Sequence, residues 1–187
     1  MAMYTPEDLL TLPDGDRYEL IDGHLREKPM GWESSWIGGE LHARLSTHCR
    51  QHNLGWVAPC DAGYQCFPNR PNLVRKPDVS FVRLGRFPNE QLPTGNARPA
   101  PDLAAEVVSP NDLAEEITEK VRDYLGAGVQ LVWVVFPRAR LVRVHRLDGS
   151  LAEVREDQPL NGEDVVPGFS CRVGDLLPPA SAATSAG

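Results

Sequence analysis

The sequence predicts an α/β fold, a mixed β-sheet flanked by helices, and three segments carry that expectation. Leu131 to Phe136 is wholly apolar, as a strand buried on both faces would be. Leu103 to Val108 reads as another strand, and a helical segment from Ser109 to about Leu125 separates the two. Leu141 to Leu147 alternates apolar and basic residues, the pattern of a half-exposed strand. Strand, helix, buried strand and edge hairpin together specify a layered sheet.

The remaining elements follow in chain order. Thr5 is placed to cap a short helix, with Pro6 at its first position and Glu7 and Asp8 in its first turn. Leu12-Pro13-Asp14-Gly15 ends it. Tyr18–Ile21 and His24–Lys28 flank Asp22-Gly23, a pair suited to the positive φ angles of a tight hairpin turn. Glu33 to Gln51 is helical, with Ile37, Leu41, Leu45 and His48 on one face. Strands are expected near Trp56–Phe67 and Leu73–Val82. Gly85 to Ala100, rich in Gly, Pro, Asn and Arg, is a loop long enough to be a functional element. Gly126-Ala127-Gly128 stops the helix that follows Val108.

With 187 residues, the chain is expected to form one domain over 1–177 and a disordered, Pro-led tail over 178–187. Hydrophobic residues make up 41% and charged residues 24%, a composition that excludes a fibrous repeat or a wholly disordered chain. No apolar run approaches the roughly 20 residues of a membrane span. The net charge of −7 argues against non-specific duplex binding, which rests on phosphate neutralisation. Cys49, Cys60, Cys66 and Cys171 form no CxxC pair. With no secretory signal visible, they read as reduced thiols of a cytoplasmic protein.

Two acids stand inside apolar strands. Asp78 interrupts Leu73–Val82, and Glu106 interrupts Leu103–Val108, sharing a face with Ala104 and Val108. Such a carboxylate either faces solvent or needs a partner. Asp102 would share the Glu106 face but stand roughly 13 Å along the strand, too far for one small cation. On the following helix, Leu113, Ile117 and Tyr124 fall in one narrow stripe, and Lys120 falls inside it. Glu115, Glu119, Arg122 and Asp123 fall on the far side. Lys120 either snorkels to water or pairs with the inward acids. Two carboxylates and an ammonium converging at a sheet can hold Mg²⁺, activate a water and steady a phosphate. The chemistry implied is metal-assisted phosphodiester hydrolysis.

Four blocks then resemble the Uma-two family of restriction endonuclease homologues, in the PD-(D/E)XK nuclease superfamily. They are Arg17–Gly23, Arg75–Val82, Pro101–Pro110, and Lys120 with Tyr124, Gly128-Val129 and Val132–Val135. The resemblance spans about Tyr4 to Leu177 and implies a restriction-endonuclease-like fold and a divalent metal, Mg²⁺ or Mn²⁺. Residue by residue, Asp78 matches the Asp of the PD motif and Glu106 its second acid. Val108 stands where the motif Lys is expected, and Lys120 takes that role in the family pattern. Glu19 matches an N-terminal acid that assists metal binding in related nucleases. The segment Gly31–Trp36 lacks the His that the family often carries there.

The function expected is therefore metal-dependent endonuclease activity on DNA. Asp78 and Glu106 would bind metal, Lys120 would steady the attacking water or phosphate, and Glu19 would support them. The alternative is a nuclease-fold protein that binds nucleic acid or a partner without cutting. Cutting both strands calls for two sites, hence an expected homodimer. Arg70, Arg75, Lys76, Arg83, Arg86 and Arg98 form either a phosphate-facing patch near Asp78 or a solvated surface. His48 and His52 share a helix face and read as ordinary helix histidines rather than zinc ligands.

Overall fold

The computed structural model describes residues 3–28 and 31–179. Helix α1 (Pro6–Thr11) opens with the predicted cap. The Thr5 hydroxyl accepts from the Asp8 amide at 3.1 Å, and the Asp8 carboxylate accepts from the Thr5 amide at 2.8 Å. Strands β1 (Tyr18–Ile21) and β2 (His24–Glu27) form the predicted hairpin, turning at Asp22 (φ 50°) and Gly23 (φ 86°). The long helix α2 (Trp32–Gln51) follows, then β3 (Gly55–Pro59), β4 (Val79–Arg83) and β5 (Leu103–Val107). Helix α3 (Ala114–Gly126) leads to β6 (Leu131–Phe136), β7 (Leu141–Arg146) and β8 (Leu151–Arg155). A small pair, β9 (Pro159–Asn161) and β10 (Ser170–Arg172), comes last.

Six strands make the central sheet in the order β3-β4-β5-β6-β7-β8. Only β5 and β6 run parallel, because α3 carries the chain back across one face between them. Its sheet is mixed and flanked by helices, as predicted. Alternation along β5 divides the core. Leu103, Ala105 and Val107 face α2, where Ile37, Leu41 and Leu45 meet Phe81, Trp133 and Val144. Ala104 faces α3, where Ile117, Val121 and Tyr124 meet Val132 and Val134.

Three expectations are corrected. Neither strand predicted across Trp56–Phe67 and Leu73–Val82 runs through. Between Pro59 and Asp78 the backbone makes only isolated bridges, Tyr64 to Arg75, Tyr64 to Ala97 and Leu20 to Val74. Pro68, Pro71 and Pro77 lack the N–H a ladder requires. Asp78 thus immediately precedes β4 rather than interrupting it. The helix expected from Ser109 begins at Ala114, because the Asp112 carboxylate accepts from the Ser109 amide at 2.6 Å and closes a separate turn. Leu113 is consequently extended and exposed, outside the apolar stripe. Strands β8 to β10 went unpredicted; the segment after β8 sends Leu160, Val166, Phe169 and Leu176 into the α2-side core.

No described helix is long and apolar enough to cross a membrane. The tail expected to be disordered lies outside the described residues from Ala180 onward. Ahead of it, the Pro178 carbonyl accepts from Arg140 at 3.1 Å.

Candidate active site

Strand register sets Asp78 beside Glu106. The β4–β5 ladder pairs Phe81 with Leu103, Ser80 with Ala104 and Val79 with Ala105, and it ends there, one residue short of Asp78 and of Glu106. Where the β4 backbone leaves the ladder, the Asp78 side chain replaces it. The Val107 amide donates to Asp78 Oδ2 at 2.7 Å. Asp78 Oδ1 faces Lys28 Nζ at 3.5 Å.

Glu106 alternates onto the α3 side of the sheet and is 3% exposed. Both its oxygens are engaged by α3. Lys120 Nζ donates to Oε2 at 2.8 Å, and the Tyr124 hydroxyl donates to Oε1 at 2.7 Å. The four-residue spacing places both donors on one helix face. Lys120 is buried in the stripe with Ile117, Val121 and Tyr124, as predicted; the snorkelling alternative is not what the chain does.

Glu19 enters from β1 and is 2% exposed. Its Oε1 accepts from the Lys76 amide at 2.8 Å and its Oε2 from Arg75 Nη1 at 3.0 Å. Lys120 Nζ stands 4.0 Å from Oε2, so one ammonium bridges Glu106 and Glu19. Asp123, expected on the far side of α3, instead turns toward this cluster. It accepts from Arg75 Nη2 and Arg70 Nη1, each at 2.6 Å, because the segment 70–76 packs along that flank of the helix.

Electrostatics separate the acids. Burial drives the Glu106 carboxyl above its ordinary value; Lys120 opposes the rise, and the charges of Asp78 and Glu19 add to it. Burial also works against the Glu19 carboxylate, but Lys120, Arg75 and the Lys76 amide outweigh it and hold Glu19 below the usual range. Lys120 is raised: burial disfavours its charge, and Glu106 with Glu19 more than offset this. Lys120 therefore stays an ammonium. Burial, together with the Glu106 and Glu19 charges, pushes the Tyr124 phenol well up, which keeps it a donor.

The site residues predicted from sequence thus fall into two parts. Glu106, Lys120 and Glu19 share one buried cluster. Asp78 adjoins it through Val107 but opens on the α2 side, into a cavity of about 250 Å³ lined by Lys28, Ser34, Gly38, His42 and Cys60. Asp102 stays apart, as predicted. It accepts from Arg86 Nη1 and the Arg83 amide, each at 2.8 Å, and anchors the 84–102 loop.

Of the six basic residues near Asp78, four are engaged within the protein, while Arg83 and Arg98 are exposed. Arg75 and Lys76 are buried, and Lys76 Nζ donates to the Gly15 carbonyl. Arg70 and Arg86 are consumed by Asp22, Asp123 and Asp102. His48 stacks on His52 at 4.3 Å and lies 2.9 Å from the Pro167 carbonyl. All four cysteines are free, with thiols pushed up by burial, Cys66 to about 12.

Sequence reasoning missed Lys28 and His42 at the Asp78 cavity and the bridging role of Arg75. No spacing marks Lys28, because a hairpin brings it to Asp78 across 50 residues.

Among the described residues, no three or more His, Cys, Asp or Glu side chains gather as a metal cage. Asp78 and Glu106 nevertheless supply carboxylate oxygens on the two sides of the strand end at Val107, whose amide donates to Asp78. That donor set fits Mg²⁺ or Mn²⁺ in kind, since Mg²⁺ keeps several waters and takes one or two carboxylates.

Comparison with known proteins agrees with this architecture. One solved structure, described as "a putative nuclease belonging to DUF820" from Anabaena variabilis, superposes with a TM-score of 0.76 at 21% identity. The superposition covers 92% of this chain and 96% of that one. The fold is therefore the restriction-endonuclease-like one predicted. No curated protein matches the chain significantly. A family model described as "Putative restriction endonuclease" matches residues 6–174. On that match, extending from the first residue of α1 to the turn after β10, the chain belongs to the Uma2 family.

Proposed function

We propose that the protein is a nuclease that hydrolyses phosphodiester bonds of DNA, using Mg²⁺ or Mn²⁺ held by Asp78 and Glu106. The observation that carries this reading is the buried Lys120–Glu106 pair at 2.8 Å, next in the chain to Val107, whose amide donates to the half-open Asp78 carboxylate. Membership of the Uma2 family supports nuclease chemistry, and the description of the Anabaena variabilis structure points the same way.

Each residue has a distinct task. Asp78 Oδ1 is the accessible ligand atom, facing the α2-side cavity. Glu106 would be the second carboxylate, its oxygens now accepting from Lys120 and Tyr124. When bound, the divalent ion would neutralise phosphate charge and lower the pKa of a coordinated water. Lys120, kept protonated by its two acids, steadies the charge that develops on the phosphate. Glu19 holds Lys120 and Arg75 in place. A cavity of about 20 Å³ beside Glu19, Lys28 and Lys120 has room on the order of one water molecule. We further propose one working domain over 1–177 and a twofold dimer that cuts a duplex with two sites.

A screen of supercoiled, linear and single-stranded DNA with Mn²⁺ tests the reading, with Asp78→Asn as the control. Cutting by the parent and not by the variant is expected. A parent that cuts no substrate at any metal concentration overturns it.

A second reading, a binding module that does not cut, is favoured by one observation: both Glu106 oxygens already have protein donors. Calorimetric titration with Mn²⁺ separates the two, because a binding-only module needs no cation.

A further inference from the structure

Lys28 follows directly on β2, and its ammonium sits in a seat made only of oxygens. It donates to the Lys76 carbonyl at 2.8 Å and the Cys60 carbonyl at 3.2 Å, and stands 3.5 Å from Asp78 Oδ1. An ammonium has three protons, and three oxygens receive them. Its side chain is 11% exposed, so this arrangement is built into the fold rather than a chance surface contact. Two carbonyls and a carboxylate are hard donors, the set a small divalent cation also prefers.

The placement is equally specific. Lys28 lines both the cavity that holds Asp78 and the small cavity beside Glu19 and Lys120. Glu106 and Glu19 are paired to Lys120 of α3, whereas Lys28 is the one cation paired with Asp78 among the described residues. A divalent ion on Asp78 Oδ1 would stand beside the Lys28 ammonium with like charge, and such neighbours repel strongly in a partly buried site. Lys28 and the ion therefore compete for one oxygen.

We propose that Lys28 is a positioning residue that holds Asp78 in place of the metal and is displaced when the metal binds. The inference rests on the reading that Asp78 is a metal ligand. In the metal-free protein Lys28 keeps the carboxylate aimed and charge-balanced. With a metal bound, its ammonium would leave Asp78 Oδ1 for the α2-side cavity.

Calorimetric titration with Mn²⁺ of the parent, Lys28→Met and Lys28→Arg tests this, alongside thermal unfolding with and without Mn²⁺. Lys28→Met should bind Mn²⁺ roughly tenfold more tightly than the parent, the low end of the coupling between close charge pairs. Without metal it should melt below the parent, and Mn²⁺ should raise its melting temperature by more than it raises that of the parent. Lys28→Arg keeps the charge and should bind no more tightly than the parent. Binding by Lys28→Met alone, with none by the parent, also supports the proposal. If Lys28→Met binds at parental strength or more weakly, or if Lys28→Arg gains as much as Lys28→Met, the proposal is overturned while the metal reading stands. If neither the parent nor Lys28→Met binds Mn²⁺, the metal reading fails and takes this inference with it. Should Lys28→Met not fold, Lys28→Gln carries the same comparison, because it keeps a donor for the carbonyls.

Discussion

Lys120 Nζ lies 2.8 Å from Glu106 Oε2 and 4.0 Å from Glu19 Oε2, so a single buried ammonium answers two buried carboxylates from different sheets. Glu19 also has Arg75 at 3.0 Å, whereas Lys120 is the one cation paired with Glu106 among the described residues, and its removal has two separable consequences.

Lys120→Met keeps the stem of the side chain and deletes the ammonium. Apo stability should fall by about 3–5 kcal/mol, the cost of leaving buried charges unpaired. Cleavage by the metal-saturated protein should fall by roughly 10²–10³, as when one charge-stabilising donor is lost. Denaturant unfolding and initial cleavage rates read the two effects. Adding Val108→Lys returns an ammonium to the Glu106 face of β5, and partial recovery of cleavage is the expected result. Parental cleavage by Lys120→Met would remove Lys120 from the mechanism.

Tyr124→Phe deletes the other donor to Glu106 and leaves Oε1 without a partner. A loss of about 1–3 kcal/mol in unfolding free energy is expected, the usual penalty for an unsatisfied buried group. Because the phenol is held well up and stays protonated, the loss should be constant from pH 6 to pH 9. A loss that vanished toward pH 9 would show that the phenol ionises.

Asp78→Asn and Glu106→Gln should each abolish Mn²⁺ binding in calorimetry while leaving the circular dichroism spectrum unchanged. Asp78 is half-buried and its Val107 bond survives in the amide, so the fold tolerates this change best. Parental Mn²⁺ affinity in both variants would place the metal elsewhere.

Glu19 gives the protein an acid limit. Its folded pKa lies below the free value of 4.5, so its ionised form is favoured by folding. The stabilisation is fully present above that free value and is lost as pH falls through the folded value. Between pH 7 and pH 3.5 the parent should lose more unfolding free energy than Glu19→Gln, which cannot titrate there. Equal losses in the two proteins would show that Glu19 is not shifted.

Much of this was written locally in the chain. The Thr5 capping box, the Asp22-Gly23 turn and the apolar β6 depend on neighbours a few residues away, and a local pattern records them. The burial of Lys120 was legible for the same reason, since helical spacing puts it in line with Ile117 and Tyr124. What the sequence determined by itself is therefore which residues turn inward: Asp78 and Glu106 near their strands, Lys120 on its helix. Tertiary structure alone decided who meets whom. Arg75 bridges Glu19 and Asp123, and Lys28 reaches Asp78, across 48 to 56 residues. Those contacts depend on how a proline-broken segment crosses α3 and on where a hairpin packs. Long-range Coulomb pairing has no period along the chain, so no window of sequence contains it.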